Sequence, residues 1–190
     1  VDPSIKVEYD EDGEPKPIYA YLELQGLEDG QNITIEQNGQ KTDYTLSKTV
    51  ANSVQLEVEP NDVIKVYGKL RAFKAQADRL VACELGKNDD LEVLDLMMNK
   101  ISELNLTQLP NLRELSVTNN KLTSIDLGNL KKLQQFYGSY NKVGKLDTSN
   151  NPDLEVLACA AMGLTELDLS KNAKLENLTA GKNNYATFPD

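Results

Sequence analysis

Five leucines, Leu91, Leu112, Leu133, Leu154 and Leu175, stand 21 residues apart without one slip. A fixed period of that length restricts a chain to a stack of repeated supersecondary units, each burying its apolar side against the next. Other columns run in phase. Three residues after each leading leucine come Leu94, Leu115, Phe136, Leu157 and Leu178, and five after come Leu96, Val117, Gly138, Cys159 and Ala180. Eight after come Asn99, Asn120, Asn141, Met162 and Asn183. Ten after come Ile101, Leu122, Val143, Leu164 and Tyr185, and thirteen after come Leu104, Ile125, Leu146, Leu167 and Phe188. One step earlier Leu70, Phe73, Ala75, Leu80 and Cys83 keep the same registers, with Asp78 in the Asn column, so residues 70–90 read as a degenerate opening coil.

The unit is L-x-x-L-x-L-x-x-N-x-L followed by a second half such as LTSIDL at 122–127 or LTELDL at 164–169. Its L-x-L predicts a short strand, stacked in parallel on the next coil, with the leucines turned into a continuous core. The column Asn99, Asn120, Asn141 and Asn183 predicts a structural ladder, because a side-chain amide can pair backbone groups left open where the chain turns. Met162 breaks that column, so its coil needs another way to pair those groups. Gly138 is an inward slot without a side chain, to be filled by Phe136 or left as a cavity.

The motif resembles the bacterial leucine-rich repeat, most closely the 21-residue LTxLDLSxN type of secreted Bacteroidetes proteins, with internalins as more distant relatives. The resemblance covers residues 70–190 and departs at Gly138, Ala180 and Met162. It implies a mainly β leucine-rich-repeat solenoid of about six coils over 70–190, in an adhesin-like module that binds other molecules at a cell surface or after secretion.

Residues 1–69 follow a period of two. ITIEQ (33–37), Asn38-Gly39 and QKTDYTL (40–46) make a strong hairpin signal. VQLEVE (54–59) with VIKVYG (63–68), and IKVEY (5–9) with IYAYLEL (18–24), suggest two more. A small antiparallel β domain of about six strands is expected, its last strand running straight into the first coil. An open solenoid end exposes apolar surface, so the leading role for this domain is an N-terminal cap, and an immunoglobulin-like binding domain is the rival.

Composition removes several function classes. The chain has no His, which excludes Ser-His-Asp and Cys-His catalysis and His-based zinc sites, and its two cysteines exclude a four-Cys site. No cofactor and no metal are expected. Net charge is −10, which argues against a nucleic-acid partner. Residues 1–69 carry 14 acidic against 6 basic side chains and residues 70–190 carry 16 against 14, so the acidity belongs to the first part. No run approaches the ~18 apolar residues of a transmembrane segment. The chain opens on Val1 rather than Met, which suggests a processed or trimmed product, so the lack of a signal peptide carries no weight. The secreted or cell-surface location, with a lipid anchor on a removed segment as one form of it, is what the resemblance implies. Cys83 and Cys159 sit about four coils apart, ~19 Å at sheet spacing, beyond disulfide reach, so two free buried thiols are expected.

The candidate site is the concave strand face. Four, six and seven residues after the leading leucine, the chain places outward Asp95, Ser116, Tyr137, Ala158, Thr179; Met97, Thr118, Ser139, Ala160, Gly181; and Met98, Asn119, Tyr140, Ala161, Lys182. Only Asp95 and Lys182 of these fifteen are charged, and a face poor in charge but holding Tyr, Met and small residues suits an interface. A protein or glycan ligand is therefore expected at Tyr137 and Tyr140, with Met97, Met98, Asp95, Ser116 and Ser139 around them. A carboxylate-based carbohydrate-processing enzyme or accessory is the alternative class, and an intracellular regulatory repeat protein a third. Asp10 to Glu14 hint at a calcium loop, but its ligand set is incomplete and a solvated turn is the better reading. Tyr185 and Phe188 near the last coil's open end suggest weak self-association.

Overall fold

The computed structural model describes residue 11, residues 18–76 and residues 80–186. The candidate calcium loop (except Glu11), the strand expected at 5–9, Asp78 and Phe188 lie outside the described residues. Among the described residues the chain forms six longer strands and then five of three residues each. They are β1 (Tyr19–Gln25), β2 (Gln31–Gln37), β3 (Gln40–Leu46), β4 (Asn52–Glu57), β5 (Ile64–Tyr67) and β6 (Ala72–Gln76), followed by β7 (Val93–Asp95), β8 (Glu114–Ser116), β9 (Gln135–Tyr137), β10 (Val156–Ala158) and β11 (Asn177–Thr179).

The 21-residue period is the pairing register. Phe73 pairs Leu94, Leu94 pairs Leu115, Leu115 pairs Phe136, Phe136 pairs Leu157 and Leu157 pairs Leu178, all in parallel. The ladder extends past the short strands, since the Val117, Gly138 and Cys159 N–H groups donate to Tyr137, Ala158 and Thr179 carbonyls. Leu94, Leu115, Phe136 and Leu157 are wholly buried. Burying a side chain of that size is worth ~1.5–3 kcal/mol relative to exposure, and the stack repeats the gain in every coil. The mainly β solenoid with a small antiparallel sheet follows the sequence expectation.

The antiparallel part is wired differently from the expected hairpins. Asn38 and Gly39 do close β2 on β3, with φ of 51° and 83°, the left-handed pair that a two-residue hairpin turn needs. The segments 54–59 and 63–68, however, do not pair with each other. β4 pairs antiparallel with β1, and β5 pairs antiparallel with β2. The strand beside the first coil is β1, not β5: β1 pairs antiparallel with β6 and carries the solenoid sheet on to β4. The order is therefore β11-β10-β9-β8-β7-β6-β1-β4 in one sheet and β3-β2-β5 in the other. The cause is burial. Val54 must face inward beside Leu22, whereas Val66 pairs Ile35 in the other sheet, so the chain has to change sheets between them. The Asp62 carboxylate fixes that crossing, accepting from the Glu59 N–H at 3.0 Å, Gln37 Nε2 at 2.8 Å and Asn38 Nδ2 at 2.8 Å. Ile33, Ile35, Leu46, Leu22 and Leu24 join the solenoid leucines in one apolar core.

Gly138 leaves no cavity in the manner of an empty slot. A Cβ built there would lie 2.4 Å from Phe136 Cζ and 2.6 Å from Cε1, so the Phe136 ring already occupies the space.

Candidate binding face

The turn that ends each strand sets the geometry of this face. Met98, Asn119, Tyr140, Ala161 and Lys182, one per coil, all adopt φ between 52° and 59°. Non-glycine residues pay for this left-handed conformation, and of the five only Asn is well suited to it. The asparagine ladder braces it in four of the five turns, Ala161 being followed by Met162. Asn141 Nδ2 donates to Gly138 O at 2.8 Å in its own coil and to Val117 O at 2.9 Å in the preceding one. Its Oδ1 accepts from the Leu122 N–H at 3.0 Å. Asn99 repeats this with Leu96 O, Ala75 O and the Leu80 N–H, and Asn120 with Val117 O, Leu96 O and the Ile101 N–H. Asn183 donates to Ala180 O and Cys159 O and accepts from the Leu164 and Met162 N–H groups. Where Met162 cannot serve, the Gly144 N–H donates to Met162 O at 3.0 Å, with Gly144 itself at φ 73°.

This turn pushes the side chain seven residues after the leading leucine out of the coil. Tyr140 is 52% exposed and Met98 43% exposed, and the ammonium of Lys182 lies 5.8 Å from the Tyr140 ring centroid. Tyr137 and Met97 are half-buried, and the Tyr137 hydroxyl donates to Gln135 Oε1 at 2.9 Å. The expectation that Asp95, Ser116 and Ser139 reach outward into solvent is corrected: all three are buried by neighbouring coils, at 9%, 7% and 7% exposure. Asp95 is occupied internally, accepting from Gln76 Nε2 at 2.7 Å and from the Met97 N–H at 3.0 Å. Ser139 Oγ accepts the Ala160 N–H at 3.1 Å. Small polar residues here close the sheet surface, and the exposed area lies chiefly at the seventh position, with Met98, Asn119, Tyr140 and Lys182.

Sequence reasoning missed two parts of the same face. Two residues after the leading leucine, Val93, Glu114, Gln135, Val156 and Asn177 also lie on it, because side chains alternate about the inward Leu column. The antiparallel strands continue it as well. Lys74, cross-strand from Asp95, pairs Glu23 of β1 and lies 3.7 Å from its carboxylate, and Gln76 pairs Tyr21. Tyr21 is 52% exposed, with its ring centroid 6.4 Å from that of Tyr19. The alternation of Tyr19, Tyr21 and Glu23 was legible, but not that β1 would be stitched to the solenoid.

No protein-family model and no curated protein matches the chain. Among solved structures, it is similar to the functional domain of InlJ from Listeria monocytogenes, which is described as including a cysteine ladder. The identity is 31% and the TM-score 0.58, over 60% of this chain. The chain folds as a leucine-rich-repeat solenoid, distantly internalin-like. The likeness spans 25% of the length of that solved chain. In this leucine-rich-repeat chain the ladder residue is asparagine, and the two cysteines, Cys83 and Cys159, occupy different registers and are free. Cys159 is buried and Cys83 half-buried, and burial pushes both thiols up to about 11. No helix of the described residues is long and apolar enough to cross a membrane, and among them no three His, Cys, Asp or Glu side chains come together as a metal site.

Proposed function

We propose that this chain is a non-enzymatic binding module of a secreted or cell-surface protein, taking a protein or glycan ligand on the strand face around Tyr137 and Tyr140. The observation that carries the reading is Tyr140: a large ring half in solvent, on a turn whose backbone the asparagine ladder over-determines. An aromatic side chain presented on a rigid frame loses little entropy on binding, which is what a hot-spot residue needs. Met97 and Met98 form a second apolar patch two coils away, and Tyr19 and Tyr21 a third beyond it. The likeness to InlJ supports the coarser reading of a protein-binding solenoid.

Residues 1–69 serve as the N-terminal cap in this reading, since β1 and β4 continue the sheet where the first coil would otherwise be open. The opposite end is the place for weak self-association. Leu178 is 40% exposed, whereas Leu94, Leu115, Phe136 and Leu157 in its column are fully buried. Sedimentation of Leu178→Lys against wild type tests this; concentration dependence identical in the two proteins refutes it.

The test of the binding reading is a screen of the immobilised wild-type protein against a glycan array and a panel of purified ectodomains. It is repeated with Tyr137→Ala/Tyr140→Ala after the fold is checked by circular dichroism. Loss of one hot-spot ring at ≥ 2 kcal/mol predicts at least ~30-fold weaker capture, and additive loss of both predicts roughly 1,000-fold. Full retention of a captured ligand by the folded double variant removes the proposal.

A further inference from the structure

The edge of the strand face at the C-terminal ends of the strands is electrostatically unlike the rest of this acidic molecule. At the positions six, seven, nine and eleven residues after the leading leucine, the five coils from Leu91 onward hold twenty residues, of which Ser139 and Ala160 are buried, with four lysines and no Asp or Glu. At the chain's overall acidic frequency such a set would carry about three acids. The lysines are Lys100, Lys121, Lys142 and Lys182. Lys121 and Lys142 are exposed and make no ion pair among the described residues. Their backbones stack coil on coil: the Lys121 N–H donates to Ile101 O at 2.9 Å and the Lys142 N–H to Leu122 O at 2.8 Å. Successive ammonium groups thus rise from positions one sheet spacing apart, ~4.8 Å. The Tyr140 ring stands in this row, with Lys182 over it at 5.8 Å. Glu92, Glu114, Glu155 and Glu176 line the other edge of the face, while just past the strip, twelve residues after the leading leucine, stand Glu103, Lys145 and Glu166.

We infer that this edge binds a polyanionic glycan, a chain with one carboxylate or sulfate on each repeating sugar, laid across the coils along Lys121, Tyr140 and Lys142. The inference rests on the reading of the strand face as a binding surface and names the ligand class of its lysine edge. Lysine offers a point charge on a flexible stem, suited to anions in single file, whether planar carboxylates or tetrahedral sulfates. An extended acidic peptide places same-face carboxylates ~6.8 Å apart, out of step with a row rising ~4.8 Å per coil. Tyr140 supplies a flat face for a sugar ring between the charges. The glutamates across the sheet repel a polyanion laid in any other track, which fixes its position.

The experiment is affinity chromatography and calorimetry of the whole chain with four probes: polygalacturonate, dextran sulfate, neutral dextran and poly-L-glutamate. Binding to one or both polyanionic glycans, at least about tenfold tighter than to poly-L-glutamate and absent with neutral dextran, is expected. Lys121→Gln/Lys142→Gln should weaken it about tenfold or more and lower the slope of log affinity against log salt by about two. Lys131→Gln/Lys132→Gln removes the same charge from outside the strip and should leave binding unchanged. Equal losses in the two variants, stronger binding of poly-L-glutamate, or no binding of any anionic probe overturns the inference. Capture of a different ligand that depends on Tyr137 and is indifferent to both lysine pairs would leave the binding face standing and remove only the glycan assignment.

Discussion

Phe136 and Gly138 form one packing unit, and their coupling can be measured. In the preceding coil the same two slots hold Leu115 and Val117, both buried to 1% exposure or less. Gly138→Val puts a branched side chain where even a Cβ comes within 2.4 Å of the Phe136 ring, and that ring is fully buried with nowhere to retreat. The cost is set at the upper end of overpacking, ~3 kcal/mol. Phe136→Leu removes ring volume that no neighbour replaces, at ~2 kcal/mol, about half the loss of a full truncation to Ala. Phe136→Leu/Gly138→Val together rebuild the arrangement of the preceding coil and should cost only ~2 kcal/mol. The pair then shows a coupling energy of ~3 kcal/mol, the top of the range for residues in contact. Guanidinium unfolding followed by far-ultraviolet circular dichroism gives the four stabilities of the cycle. Additive single effects within ~0.5 kcal/mol would refute the claim that the ring fills the glycine's slot.

The ladder predicts that Asn141→Leu, which removes two donated bonds and one accepted bond at a buried site, costs ~3 kcal/mol or more in the same unfolding assay. Ala161 sits at φ 52°, so Ala161→Gly relieves left-handed strain and should raise stability by ~0.5–1 kcal/mol, an unusual gain for a substitution to glycine. With both thiols held up at about 11 against an ordinary 9.0, the thiolate fraction near pH 7.5 is ~100-fold below that of the unfolded chain, and iodoacetamide should label the folded protein correspondingly slowly. The folded value is raised, so this contribution to stability is complete below about pH 9 and is lost as pH climbs through about 11; alkaline unfolding of Cys83→Ala/Cys159→Ala should set in later than that of wild type. Asp147 and Asp168 are lowered chiefly by the Ser149 and Ser170 N–H groups they accept, so their contribution holds above the usual carboxylate range and fades as pH falls through their depressed values, which an acid titration of the unfolding midpoint reads.

The solenoid was legible because its signal is redundant: each inward column is written five times, so Met162 could be recognised as a departure against four asparagines, and Gly138 and Ala180 as departures in a column otherwise Leu, Val and Cys. The antiparallel part offers no such redundancy. Alternation in β4 and β5 fixed which side chains face inward, but two sheets offered two sets of partners, and only the shared core decides between them. The binding face is intermediate. Its outward columns follow from the period, yet the left-handed turn at Tyr140 was hidden because Met, Asn, Tyr, Ala and Lys share no propensity for it; the turn recurs even at Ala161 beside Met162, so it belongs to the stacked coil and is braced by the following asparagine in the other four. A second polar row on the far side of the coils escaped for the same reason. Asn172 Nδ2 donates to Thr148 O and Asn151 O, and Thr148 Oγ1 donates back to Asn172 Oδ1 at 2.8 Å. Asn151 repeats the donation to Leu127 O and Leu130 O, but the residue 24 positions before it is Leu127 rather than a threonine, so its buried Oδ1 has no partner among the described residues. That column changes from Leu to polar partway along the stack, and a pattern search that counts only apolar matches treats the change as noise. Backbone carbonyls exposed by stacking, rather than side-chain periodicity, determine where such amides fit.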